Sequence, residues 1–204
     1  MRSYKAALLT GAVLAAVLAP AGAASAQNLT HDDATADVWE DVWNYDTNTQ
    51  EYYEAGSQTN VDVLSTVVRH LPTKLVLRFT YADLKRSGTR FGIINHLRFP
   101  EGPQIVAAVD TNTRWKGIPV LAKNRTGEPI RCPGLDHAID YSANTIELTI
   151  PRSCIGTPTW VDVNSFAVGQ EDDPESESGV HAYIDNSLNG GHGDNGWTRH
   201  VRKG

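Results

Sequence analysis

The chain has 204 residues, of which 40% are hydrophobic, and it carries a net charge of −6 at neutral pH and two cysteines. This length fits one domain that can bury a sizeable core. The acidic balance argues against nucleic acid or an anionic membrane as a partner, because both require a positive surface.

Residues 1–26 have the pattern of a signal peptide. Arg2 and Lys5 precede an apolar run over residues 6–18, and the small residues of Ala24-Ser25-Ala26 follow. The run is shorter than the roughly 20 apolar residues of a membrane-spanning helix, so the alternative, an uncleaved anchor, is disfavoured. We predict cleavage after Ala26 and a secreted protein, and no later stretch of sequence is apolar enough to span a membrane.

The first strands are indicated by alternating side chains. Residues 37–45 alternate, and residues 61–69 and Lys74–Tyr81 predict an antiparallel hairpin that turns at Pro72. Residues 90–99 are expected to add a third strand. One face of the second hairpin strand is wholly apolar or aromatic: Leu75, Leu77, Phe79 and Tyr81.

Further short strands follow, separated by turn residues, at 104–109, 118–122, 136–141, 145–150 and 160–168. Residues 136–141 and 145–150 are expected to form a hairpin. No amphipathic helix longer than two turns is indicated. The chain is therefore predicted to be all-β, an antiparallel, jelly-roll-like β-sandwich over residues 27–170. Residues 171–204 are expected to be an acidic loop and a Gly- and Asn-rich C-terminal segment without core residues.

The two cysteines, Cys132 and Cys154, both lie in the predicted exported part. An even pair in an oxidising compartment is expected to form a disulfide, closing a loop of about 20 residues. The alternatives are a catalytic thiol or a metal pair, and the wide spacing of the two residues favours neither.

Three sequence features together resemble a known group of proteins. They are the hairpin end at residues 81–84, the strand end at 108–112, and the strand at 146–150 that continues into Pro151-Arg152-Ser153-Cys154 before residues 160–168. They resemble secreted actinobacterial β-sandwich proteins related to family 9 carbohydrate-binding modules and DOMON domains, over residues 33–168. The resemblance implies a sandwich that binds an extracellular ligand, although fold analogy alone does not fix function. Met/His haem ligation, known in one branch, is excluded because the sole methionine is Met1, whereas bis-His ligation stays open.

Four aromatic residues are candidate ligand-binding groups: Trp39, Trp43, Tyr45 and Trp115. Flat aromatic faces stack on sugar rings, and neighbouring polar groups bind the hydroxyls. The competing interpretation makes Trp39 and Trp43 core residues, and for Trp115 it is a lid over one end of the sandwich.

A calcium site is a further candidate, formed by Asp110, Asn112 and Asp172. Calcium binds hard oxygen ligands, and carboxylates on two adjacent loops would supply them. The competing interpretation of Asp110 is that its side chain starts a turn.

No motif identifies an enzyme: H-E-x-x-H and G-x-S-x-G are absent from the sequence. The predicted function is a secreted, monomeric, non-catalytic module that binds carbohydrate or another cell-surface ligand. The alternatives are a structural or protein-interaction domain and, less favoured, a glycoside hydrolase, which needs two carboxyl groups facing each other across a cleft.

Overall fold

A computed structural model describes residues 27–44, 46–172, 179–188 and 196–204. The predicted signal peptide lies outside the described residues. The strands are β1 (Gln27–Asp32), β2 (Val38–Asn44), β3 (Thr49–Gly56), β4 (Val63–His70), β5 (Lys74–Tyr81), β6 (Arg90–Arg98), β7 (Ile105–Asp110), β8 (Ile118–Lys123), β9 (Asp136–Asp140), β10 (Thr145–Pro151), β11 (Trp160–Asp172), β12 (Gly179–Asn186) and β13 (Val201–Arg202). One turn of 3-10 helix, Arg152–Ile155, follows β10.

The strands form two antiparallel sheets packed face to face. The smaller sheet has the order β1-β4-β5-β10-β9. The larger has the order β3-β2-β12-β11-β6-β7-β8, with β13 paired to β11 beside this path. The predicted all-β sandwich is confirmed.

The core between the sheets is formed by every second residue of the strands, the ones whose side chains point inward. Leu75, Leu77, Phe79 and Tyr81 of β5 are all buried, as predicted from their shared face. Ile146, Leu148 and Ile150 of β10 lie directly across the ladder from this strand and are completely buried. Burial of such apolar surface is the main favourable term in folding.

The predicted hairpins are present, but the prediction for residues 90–99 is wrong in one respect. Strands β4 and β5 pair, and so do β9 and β10. Strand β6, however, does not extend the first hairpin, because it lies between β11 and β7 in the larger sheet. The polar segment at residues 82–89 carries the chain across the sandwich, and the alternation of side chains does not reveal such a crossing.

The sandwich continues beyond the predicted boundary at residue 170. Strand β12 lies inside the larger sheet, between β2 and β11. Residues 196–204, which we call the C-terminal segment, cover the start of β11. There Val201 is 1% exposed, Asn164 Nδ2 donates to the Gly196 carbonyl at 2.7 Å, and His200 contacts Asp162.

The predicted disulfide is confirmed. Cys132 and Cys154 are bonded, with Cα atoms 5.4 Å apart. The bond links the loop before β9 to the 3-10 turn after β10. Among the described residues there is no helix long and apolar enough to cross a membrane.

Candidate functional site

The outward face of the larger sheet carries the predicted aromatic residues. Tyr183 of β12 packs against the core, so the next residue, Ile184, and Trp39, which lies opposite Ile184, point to the other side of the sheet. Asp41 and Trp43 follow Trp39 with the same period. Neither tryptophan belongs to the core cluster. Tyr52 of β3 lies opposite Asp41 and is 40% exposed. We call Trp39, Asp41, Trp43, Gln50 and Tyr52 the tryptophan strip.

Polar groups of the tryptophan strip lie between its aromatic rings. Gln50 Nε2 donates to Asp41 Oδ2 at 2.7 Å, which fixes both side chains. Four residues along a strand separate Trp39 from Trp43, which places them about 13 Å apart. The strip therefore presents two indole rings on either side of a fixed carboxylate–amide pair. Tyr45, the remaining predicted aromatic residue of this segment, lies outside the described residues.

A hollow of about 290 Å³ lies further along the same outward face. Across the strands of the sheet, Trp39 lies opposite Ile184, Ile184 lies opposite Val168, and Val168 lies opposite Gly92. Gly92 has no side chain, and the hollow lies above it. The floor is mostly apolar, and its rim is polar. The rim residues are Arg90, Asp110, Asn112 and Gln170.

The residues of the predicted calcium site are only partly brought together. Asp110 and Asn112 both line the hollow, and Asp110 Oδ1 accepts the Asn112 N–H at 2.8 Å, as in the turn interpretation. In register, Asp110 is level with Gly92 and Val168, whereas Asp172 is four residues, or about 13 Å, further along β11. The side chain of Asp172 lies outside the described part of the chain.

Trp115 caps one end of the sandwich. Its ring lies 6.4 Å from that of Phe91, the guanidinium of Arg90 lies 3.9 Å above its centroid, and its carbonyl accepts the Tyr141 hydroxyl at 2.5 Å. Trp115 thus packs against the core beside Phe91 and does not belong to the tryptophan strip.

Four carboxylates converge elsewhere, and we call Asp33, Asp37, Asp62 and Asp185 the acidic cluster. One oxygen from each of Asp33, Asp37 and Asp185 lies within 4.8 Å of the others. Asp62 Oδ2 accepts the Ala36 N–H at 3.1 Å, and Asp185 Oδ2 accepts the Val63 N–H at 2.5 Å. Five carboxylate oxygens of the cluster are buried without a hydrogen-bond partner among the described residues: Asp33 Oδ2, Asp37 Oδ1, Asp37 Oδ2, Asp62 Oδ1 and Asp185 Oδ1.

Burial and mutual repulsion disfavour ionisation of the acidic cluster. Desolvation, reinforced by the neighbouring carboxylates and opposed by one backbone hydrogen bond to each residue, raises the pKa of Asp33 to about 7 and that of Asp185 to about 8. Desolvation also raises the pKa of Asp37. Each shift reflects the cost of placing negative charge where water is scarce and other carboxylates are close.

Sequence reasoning missed the acidic cluster because its members come from three distant segments. Asp33 and Asp37 lie in the connection between β1 and β2, Asp62 precedes β4, and Asp185 lies in β12. The available signal was Asp62, an acidic residue inside the apolar run Val61-Asp62-Val63, which is unusual unless its charge has a partner.

A scan of the chain against protein-family models gives no match, and searches of curated proteins and of solved structures give none either.

Proposed function

We propose that the protein is an extracellular, non-catalytic binding module that holds a carbohydrate on the outward face of its larger sheet. The observation that carries this proposal is the tryptophan strip, in which Trp39 and Trp43 flank Asp41 outside the core. Aromatic side chains that lie outside the core, on a sheet face that no other part of the described chain covers, are typical of an interaction site.

The chemistry of the tryptophan strip suits a sugar chain. Indole faces stack on the C–H faces of pyranose rings, while the exposed Gln50 amide, held by Asp41, can donate to and accept from hydroxyl groups. The Asp41–Gln50 pair is already fixed by its own hydrogen bond, so less side-chain freedom is lost on binding. The hollow beside Gly92 offers room for a side branch, with Arg90 and Gln170 at its rim.

The extracellular part of the proposal is supported by the disulfide and by the predicted signal peptide. Disulfides such as Cys132–Cys154 persist mainly in oxidising compartments. The acidic net charge agrees with a neutral ligand better than with an anionic one.

Substitution of the strip tryptophans tests the proposal. Binding to cellulose, xylan, chitin and peptidoglycan is measured by pull-down for the wild type, Trp39→Ala and Trp43→Ala. We expect at least one glycan to bind the wild type, and each variant to bind it at least tenfold more weakly, which corresponds to about 1.4 kcal/mol.

The matched control is Trp160→Ala, because Trp160 stacks on His200 and lies outside the tryptophan strip. Its glycan binding should equal that of the wild type, and near-UV circular dichroism should show all three variants folded. Failure of every glycan to bind, or equal binding by the strip variants, contradicts the proposal.

A protein-interaction role is the second candidate, and the exposed edge of the larger sheet favours it. Strand β3 is the last strand on its side, and its Tyr52 and Tyr53 are 40% and 48% exposed on opposite faces. An edge strand offers unpaired backbone groups to an added strand from another chain. Protection of β3 amides from hydrogen exchange on adding spent culture medium, without glycan binding, would favour this candidate.

The hydrolase interpretation receives no support from the converging carboxylates. Asp33, Asp37 and Asp185 face one another, but their unpartnered oxygens are buried from solvent. A glycosidic bond would have to lie between two accessible carboxyl groups.

A further inference from the structure

We propose that the acidic cluster is a calcium site, in which Asp33, Asp37 and Asp185 bind one Ca²⁺ and Asp62 holds the loop that carries two of these ligands. Two oxygens bound to one calcium ion at about 2.4 Å can be no more than about 4.8 Å apart. The oxygens of the three ligands meet this condition for every pair.

Buried carboxylate oxygens without partners indicate that a ligand belongs in the acidic cluster. Asp185 is 0% exposed and Asp62 is 1% exposed. Each uses one oxygen to accept a backbone N–H and leaves its other oxygen buried with no partner in the described part of the chain. Native structures rarely leave such acceptors unsatisfied, because the desolvation cost of a charged group is large.

The charges of the acidic cluster have no counterion among the described residues. The ion pairs of the described chain use other carboxylates, namely Asp83, Glu128, Glu147, Glu40 and Asp162. Carboxylates that share a buried site repel one another strongly unless a cation lies between them. A divalent cation therefore removes the repulsion and satisfies the unpartnered oxygens of Asp33, Asp37 and Asp185 together.

The donor set selects the ion. All the donors are carboxylate oxygens, which hard cations prefer, whereas zinc favours histidine and cysteine. Calcium binds six to eight oxygen ligands in flexible geometry. Three carboxylates, each binding through one or two oxygens, can supply much of this number. Magnesium requires octahedral coordination and usually keeps several bound waters. The carboxylate oxygens of this site are shielded from solvent, so the site has little access for such waters.

The position of the acidic cluster explains what the ion would do. The connection between β1 and β2, which holds Asp33 and Asp37, leads from the smaller sheet to the larger one. Asp62 directly precedes β4 of the smaller sheet, and Asp185 lies in β12 of the larger sheet. An ion held by both segments ties the two sheets together, so that its binding energy adds to the stability of the fold.

Calcium titration of the EDTA-treated, dialysed protein tests the site. Isothermal titration calorimetry with CaCl₂ and with MgCl₂ should show one Ca²⁺ per chain, bound at least tenfold more tightly than Mg²⁺. The Tm should rise with CaCl₂ concentration. Absence of calcium binding, or equal affinity for both ions, would overturn the proposal.

The most informative variant is Asp37→Asn, since neither oxygen of Asp37 accepts a hydrogen bond from another described residue. In EDTA the variant should have a higher Tm than the wild type, because one repelling charge is gone. In excess CaCl₂ the order should reverse, with at least tenfold weaker calcium binding. A Tm order that is the same in both buffers would overturn the proposal.

The control variant is Asp110→Asn, at the calcium site predicted from sequence. An asparagine oxygen can still accept the Asn112 N–H, so the turn should be retained. We expect its calcium affinity to equal that of the wild type. Loss of calcium binding in Asp110→Asn with binding retained in Asp37→Asn would move the ion to the other site and overturn the assignment.

Discussion

His70 is a fully buried histidine that holds the C-terminal segment on the sandwich. Its Nδ1 lies 3.0 Å from the Val201 carbonyl, and a carbonyl only accepts, so Nδ1 carries the proton of the neutral ring. Its Nε2 is buried without a partner among the described residues. Burial lowers the pKa of His70, and the charges of Arg152 and Lys203 lower it further, against the hydrogen bond to Val201, which raises it.

Acidification should therefore destabilise the fold through His70. Below about pH 6.5 the unfolded chain takes up a proton that the folded ring resists. The contribution of His70 is thus complete above this pH and is lost as the pH falls towards the lower folded pKa, by at most about 1.4 kcal/mol per pH unit.

Urea unfolding from pH 8 to pH 5 checks this in the wild type and in His70→Asn, whose amide can still donate to Val201. Titration of the acidic cluster is common to both proteins and cancels in the comparison. The stability advantage of the wild type should shrink as the pH falls, and parallel curves would count against the assignment.

Close packing between the two sheets explains the glycine at position 169 of β11. A Cβ atom there would lie 2.7 Å from Val61 Cγ2 and 2.9 Å from Thr89 Cγ2, and Val61 is completely buried. Gly169→Ala should lower the free energy of unfolding by about 1–3 kcal/mol, the usual cost of overpacking. The control is Gly92→Ala on the outward face, whose Cβ would have one contact, 3.3 Å from the Val109 carbonyl. Chemical denaturation should show the smaller loss for the control, and equal losses would contradict the packing argument.

For single strands, the sequence predicts the position of the strand well wherever one face of the strand is buried. The alternation of Leu75, Leu77 and Phe79 identifies β5, because a period of two matches the pleat of a strand. The alternation of side chains does not indicate which strand pairs with which. For this reason the sequence does not reveal that β6 lies in the larger sheet, between β11 and β7. Trp39 and Trp43 illustrate the same limit, since alternation placed them on one face without indicating whether that face is the core.

At the scale of the molecule, the acidic cluster and the C-terminal segment depend on contacts between residues far apart in the chain. Asp33 and Asp185 contribute to one cluster from opposite ends of the described chain. The C-terminal segment has few apolar residues, yet Val201 is buried, because the segment pairs with β11 and hydrogen-bonds to His70 of β4. Composition identified neither feature, since each results from topology and not from local pattern.

The C-terminal segment joins both sheets, and this leads to the last prediction. Val201 pairs with Val161 of β11 in the larger sheet, while the Gly204 N–H donates to the His70 carbonyl of β4 in the smaller sheet. Deleting residues 196–204 would expose the apolar contact of Val201, costing about 1.5–3 kcal/mol. It would also remove the Gly196 carbonyl to which Asn164 Nδ2 donates, at about 0.5–1.5 kcal/mol, and the His200 contact of one Asp162 oxygen, at about 1.5–3 kcal/mol.

The expected total, about 4 kcal/mol or more, is a large share of the 5–15 kcal/mol that stabilises a typical domain. The truncated protein should therefore unfold at a much lower urea concentration than the full chain. Deleting only Lys203 and Gly204 serves as the comparison, because it removes the Gly204–His70 hydrogen bond but leaves Val201 and the contacts of Asp162 and Asn164 in place. An unchanged urea midpoint after the longer deletion would show that the two sheets hold together without this segment, and that the contacts of Val201 and His200 contribute little to the fold.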